Sequence, residues 1–341
     1  MTRTRATASA RLPLVLALLV AALAGVLVGL ALTAAQPVAG VAEPGAVVRF
    51  GLPVVRVVLD LSAVATVGLS LLPILAGFDR PKHLEPVLDA ARRAAAVAAL
   101  LWALAALMAL VLQTAEARPG GGTGTAVSPA VVVAYVREVG AGKALAFVAG
   151  VALVSFVLGI ASVRVGESVP AELRAAVALF GLLPLPVTGH ATNFEWRDFT
   201  MISLELHVLG AVAWTGGLGA VVVLLAANRS LLATALPRFS RLATVCLGVV
   251  AATGLFNAIM ELTASHGLLD ALFGSGYGVL VLLKLTCLVL LAALGGNIRF
   301  RLLPAIMRHR RTALVGWAAL ELSVMGLAFG FAVVLSRAPV S

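Results

Sequence analysis

Long apolar runs separated by short polar, glycine-bearing or proline-bearing stretches fill this chain from end to end. A bilayer core of roughly 30 Å takes about 20 apolar residues of helix at 1.5 Å each. Nine runs qualify, with approximate limits 12–35, 51–76, 91–114, 143–165, 173–189, 201–226, 238–262, 277–297 and 312–336. Breakers mark the gaps: Gln36-Pro37, Asp79-Arg80-Pro81-Lys82, Pro119-Gly120-Gly121-Gly122, Pro237 and Gly274-Ser275-Gly276. The pattern predicts an all-α polytopic transmembrane bundle of about nine spans, with no fixed-period repeat and no soluble domain. The longest connection, 115–142, is glycine-rich, and its tail Tyr135-Val136-Arg137-Glu138 reads as a short amphipathic surface helix.

Composition sharpens this. Of 341 residues, 61% are hydrophobic and 12% charged, whereas soluble domains carry roughly a quarter charged residues. An aromatic share of 6% leaves Ala, Val and Leu as the apolar mass, which suits helices rather than an aromatic-girdled barrel. Cys246 and Cys287, the two cysteines, sit in apolar runs and cannot build a disulfide framework or a four-thiolate metal site.

The formal net charge of +10 is sorted by topology rather than gathered into a nucleic-acid patch. With a cytoplasmic N-terminus, 17 Lys and Arg fall in inside segments and 6 in outside ones, which predicts an N-in, C-out orientation. Residues 1–35 also resemble a signal peptide; the apolar run is long for one, so an uncleaved anchor is the preferred reading, and cleavage would leave eight spans.

Charges inside spans cost at least about 2.5–3.5 kcal/mol near the bilayer centre, which makes each a functional candidate. Arg56 and Asp60, four apart in the second span, can form an ion pair on one helix face. Lys284 in the eighth span calls for an acid from another helix, with Glu205, Glu261 and Asp60 as candidates, and Glu321 in the ninth span has no obvious partner. Asn257 reads as a helix-to-helix hydrogen-bonding group, and Trp214-Thr215-Gly216-Gly217-Leu218-Gly219 as a close helix contact.

His83 and His309 belong to cytoplasmic loops, whereas His190, His207 and His266 all fall toward the external face, with Met201 and Met260 at similar depth. Imidazole suits either copper state and thioether selects Cu(I), so these five are the candidate copper ligands, His190 and His207 foremost.

Taken together the residues resemble the copper resistance protein D (CopD) family of bacterial inner-membrane proteins. The features are Thr188-Gly189-His190-Ala191, His207 with Ala213-Trp214-Thr215-Gly216-Gly217-Leu218, Arg238-Phe239-Ser240, Thr253-Gly254, Tyr277-Gly278 with Lys284, Asn297 with Arg299, and Glu321. The likeness covers about residues 180–336 as a membrane core. Residues 1–179 share the general span pattern, with Asp60 before Thr66-Val67-Gly68 as the best point of contact. The resemblance implies copper passage across, or delivery at, the cytoplasmic membrane, with the external histidines as copper contacts. It also implies hand-over with a soluble extracytoplasmic copper-binding protein or an oxidase assembly factor.

Two other readings stand beside it. One is a b-type haem held by His190 and His207, against which the inner-leaflet spans offer no histidine for a second haem. The other is a non-catalytic membrane scaffold. No phosphate loop, Ser-His-acid set or His-Glu-x-x-His helix supports an enzyme.

Overall fold

The computed structural model describes residues 2–33, 45–77, 84–118, 127–188, 197–263, 268–308 and 312–338, and among them every regular element is helical. In chain order these are α1 (Thr2–Leu32), α2 (Ala46–Ala76), α3 (Glu85–Glu116), α4 (Pro129–Glu138), α5 (Gly140–Val165), α6 (Ala171–Phe180), α7 (Arg197–Leu225), α8 (Arg229–Thr263), α9 (Leu268–Gly274), α10 (Gly276–Asn297), α11 (Leu303–Met307) and α12 (Leu314–Leu335). A 3-10 turn, Leu185–Thr188, extends the α6 segment, and a π turn, Ile298–Leu302, joins α10 to α11. Nine helical segments among the described residues are long and apolar enough to cross a membrane. The short α4 carries the surface-helix segment ending at Glu138.

Several helices overrun the limits drawn from hydropathy, each for a local reason. α3 starts at Glu85, six residues before its apolar run, because the buried Arg92 Nη1 is held by Glu85 Oε1 at 2.8 Å and Asp89 Oδ1 at 2.6 Å on the same helix. Pro237 does not break the chain as expected. It lies inside α8, which begins earlier because Asn228 Oδ1 accepts from the backbone N–H groups of Ser230 (3.2 Å) and Leu231 (3.3 Å) as an N-cap. At the start of α10, Ser275 Oγ accepts from Gly278 N at 3.0 Å.

Two apolar cores share α2, α3 and α7. One gathers α1, α8, α10 and α12; the other gathers α5 and α6. Lipid is as apolar as leucine, so burial alone holds no two membrane helices together, and close backbone packing must contribute. Glycine provides it. A Cβ on Gly68 of α2 would stand 2.1 Å from Gly216 O of α7, and one on Gly216 would stand 2.4 Å from Val64 O. On the far side, Gly25 of α1 meets Gly330 of α12, Gly326 lies against Leu18 O of α1, and Gly29 receives the Val334 side chain; a Cβ on Gly330 would meet Ala22 O at 2.2 Å.

Charged side chains tie the ends. Arg238 Nη1 donates to Ala76 O (2.9 Å) and Leu75 O (3.3 Å) at the C-terminus of α2, where a cation also meets the negative end of the helix dipole. Gly77 leaves at φ +89, and any Cβ there would collide with that guanidinium. Arg299 Nη1 donates to Thr244 Oγ1 at 2.6 Å, linking the π turn to α8. Arg337 pairs with Glu116, linking the residues after α12 to α3.

Overpacking a tight contact costs about 1–3 kcal/mol. Gly68→Val is therefore expected to lower the thermal midpoint of the purified protein in detergent by several degrees, whereas Gly150→Ala, with no atom within 4 Å of the added methyl, leaves it unchanged. Equal midpoints for the two variants would contradict the α2–α7 contact as drawn.

Candidate functional site

Between α2, α7, α8, α10 and α12, at the end of the bundle where α7 and α10 begin and α8 and α12 finish, lies a cavity of about 380 Å³. Its walls are mostly aliphatic, from Leu204, Val208, Val281, Leu288 and Val333 among others. Polar groups are few: Arg56 and Asp60 from α2, Thr200 and His207 from α7, Asn257 and Glu261 from α8, and Tyr277 and Lys284 from α10. Trp214, Thr215 and Met325 line it farther along the bundle.

His207 is fixed by the helix beside it. Its Nδ1 lies 3.1 Å from Thr253 Oγ1, and the Thr253 hydroxyl donates its one proton to Val249 O at 2.6 Å. The hydroxyl oxygen is therefore the acceptor, Nδ1 carries the ring proton, and Nε2 keeps its lone pair for another partner. Gly254 makes room for this: a Cβ there would stand 3.0 Å from His207 Cε1. Ser203 Oγ adds a second α7–α8 link to Thr253 O at 3.4 Å. The adjacent Thr253 and Gly254 thus do separate jobs, one orienting the ring and the other admitting it.

The Arg56–Asp60 pair forms as the spacing suggests, Nε to Oδ1 at 3.7 Å, and both residues line the cavity. Lys284 also lines it, within electrostatic reach of His207, but makes no ion pair with Asp60, Glu205, Glu261 or any other acid among the described residues. The expected acid partner is thus not seen; α8, which carries Glu261, meets α10 only sparsely. Asn257 does not bridge helices: neither Nδ2 nor Oδ1 has a hydrogen-bond partner among the described residues, although the residue borders the cavity. Met201, Met260 and Glu205 are not among the lining residues. Glu321 is buried one turn from Met325, beside Gly295 and near Trp214 Nε1 but outside hydrogen-bond geometry with it.

His190 and His266 lie outside the described residues. Among the described residues Leu182, Leu185, Pro186 and Glu261 line the cavity, and Thr188 borders an adjoining small pocket with Arg56, Ser336 and Arg337. Among the described residues, no group of three or more His, Cys, Asp and Glu side chains could hold a metal ion. The role of Thr253 as the partner of His207, and the contribution of α12 through Met325 and Phe329, escape sequence reasoning. Both depend on the register between helices that are far apart in the chain.

The arrangement is that of a multi-pass helical membrane protein with a part-polar cavity entered from one end of the bundle. Residues 47–195 match the copper resistance protein D-like N-terminal domain, and residues 233–335 match copper resistance protein D. The chain belongs to the copper resistance protein D family. It is 29% identical over 219 residues to "Copper transport protein CutJ" of Bacillus subtilis (strain 168), a match spanning 62% of this chain and 39% of that relative. No solved structure matches it.

An unsatisfied buried amide costs about 1–3 kcal/mol, so Asn257→Leu is expected to leave thermal stability in detergent equal to or above that of wild type. A fall of several degrees would mean that the amide has a partner after all.

Proposed function

We propose that this chain carries copper across, or hands it over at, the bacterial cytoplasmic membrane, with the ion as cargo captured on the extracytoplasmic side. The orientation is N-in, C-out, the sense given by the 17-to-6 division of Lys and Arg. That orientation opens the cavity outward. The observation that carries the reading is the half-buried His207 ring, held by Thr253 in the tautomer that leaves Nε2 free on the wall of a membrane cavity. A metal-ligating histidine typically donates its other ring N–H to an oxygen acceptor, which sets the tautomer and raises its basicity.

One imidazole does not hold copper tightly. His190 and His266 are proposed as the further ligands, with Met201 and Met260 as thioethers at the approach to the cavity and not on its wall. Arg56, Asp60, Glu205, Asn257, Lys284 and Glu321 are proposed as the polar route or as the pairs that flank it. A soluble extracytoplasmic copper-binding protein or an oxidase assembly factor is the proposed exchange partner. The family match and the name of the Bacillus relative support copper as the ion, and the haem alternative gains no second observation.

Two measurements check this. His190→Ala with His207→Ala is expected to abolish copper bound per purified protein and to lower cellular copper accumulation; unchanged binding and uptake would reject the site. Thr253→Val keeps the shape but removes the acceptor for Nδ1–H, and is expected to weaken copper affinity about 10–100-fold, the usual cost of losing an outer-shell partner. The visible spectrum of the same preparation should show no Soret band.

A further inference from the structure

A bare ion needs a few donor atoms in a tight cage, yet this cavity has the size of a small-molecule site. Ligand pockets run to about 300–1,000 Å³ and are mainly apolar, with a few polar groups that fix orientation. The cavity of about 380 Å³ fits that description, with an aliphatic wall and two polar side chains that nothing among the described residues satisfies. Lys284 has no acid partner among the described residues, and Asn257 has neither a donor nor an acceptor for its amide.

The cavity also opens sideways. Leu255 of α8 and Leu285 of α10 both line it and are 60% and 49% exposed, so they rim a gap between two helices that meet only sparsely. In a bilayer that gap faces acyl chains. Water-borne anions have no reason to enter there, whereas a lipid-soluble amphiphile does.

We propose that the cavity binds a single-chain organic carboxylate taken from the bilayer through the α8–α10 gap, its head at Lys284 and Asn257 and its chain along α7, α10 and α12. The carboxylate supplies the acid that Lys284 lacks. Lysine and carboxylate together form a neutral pair, which removes the cost of a lone cation at that depth. Asn257 Nδ2 donates to the second carboxylate oxygen. Leu204, Val208, Val281, Leu288 and Val333 cover the chain. This inference shares Lys284 and Asn257 with the polar route proposed above but uses neither His190 nor the free Nε2 of His207, so the two readings can fail separately.

Trp214 on the cavity wall is a built-in reporter. Purified protein is titrated with 11-bromoundecanoate, whose bromine quenches indole fluorescence on contact, and in parallel with the bromo-alcohol of equal length, each with and without added Cu(I). Wild type is expected to show saturable quenching by the carboxylate that is absent from Trp214→Phe, at least tenfold tighter than for the alcohol and indifferent to copper. Lys284→Met is expected to reduce the carboxylate to the level of the alcohol. Non-saturable quenching in wild type, or equal affinity for acid and alcohol, overturns the proposal without reference to any variant. So does quenching that requires Cu(I), which would make the occupant a metal complex rather than a bilayer lipid. Copper binding that survives alongside a failed titration would remove this inference alone.

Discussion

The architecture depends on backbone meeting backbone through glycine. In water, burying leucine would be enough to hold the helices; in lipid the same leucine gains little by leaving its neighbours, and van der Waals contact at short range has to contribute what burial does not. Gly68 against Gly216 brings α2 and α7 to a separation that no side chain would permit, and the Gly25, Gly29, Gly326 and Gly330 seam does the same for α1 and α12. These two contacts fix the centre and one flank of the bundle. No comparable seam joins α8 to α10: Gly248, on α8, and Gly296, close to the end of α10, have nothing within 4 Å of a Cβ. The cavity is what remains where that approach is not made.

The polar groups follow from this layout. Several are satisfied locally: Arg238 caps α2, Arg299 bonds Thr244, and Arg92 is held by two carboxylates of its own helix, whereas Arg174 Nε and Nη1 are buried without a hydrogen-bond partner among the described residues. At the cavity end Arg56 pairs with Asp60 and Arg337 with Glu116, while among the described residues Lys284 meets no acid and the enclosed Asn257 amide has no hydrogen-bond partner. A family likeness treats both sets alike, because Arg238, Arg299, His207 and Lys284 all belong to it. Their surroundings differ: Arg238 and Arg299 are held by neighbouring helices, whereas His207 and Lys284 line the cavity.

The relationship to the copper resistance protein D family accords with that division. The two matched regions, 47–195 and 233–335, together contribute every helix that borders the cavity except α7, which lies mostly between them and supplies His207. The chain covers 39% of its Bacillus relative, so whatever that longer protein does outside the shared membrane helices is not written in these residues.

Hydrophobic periodicity was enough to count nine spans, and loop cations were enough to suggest an orientation, because both depend on the bilayer as solvent and not on which helix touches which. Local spacing likewise disclosed the Arg56–Asp60 pair, since four residues on a helix are neighbours in any fold. Where a polar side chain interrupts hydropathy, the ends went astray: Pro237 looked like a break and is helix interior, and the helix around Arg92 begins earlier than its apolar run. What lay beyond the sequence was everything that needs register between helices. That His207 meets Thr253, that Lys284 meets no acid among the described residues, and that Asn257 borders a cavity are set by how far apart α7, α8 and α10 stand. That spacing is decided by which glycines find one another across the bundle, and no single helix carries the information.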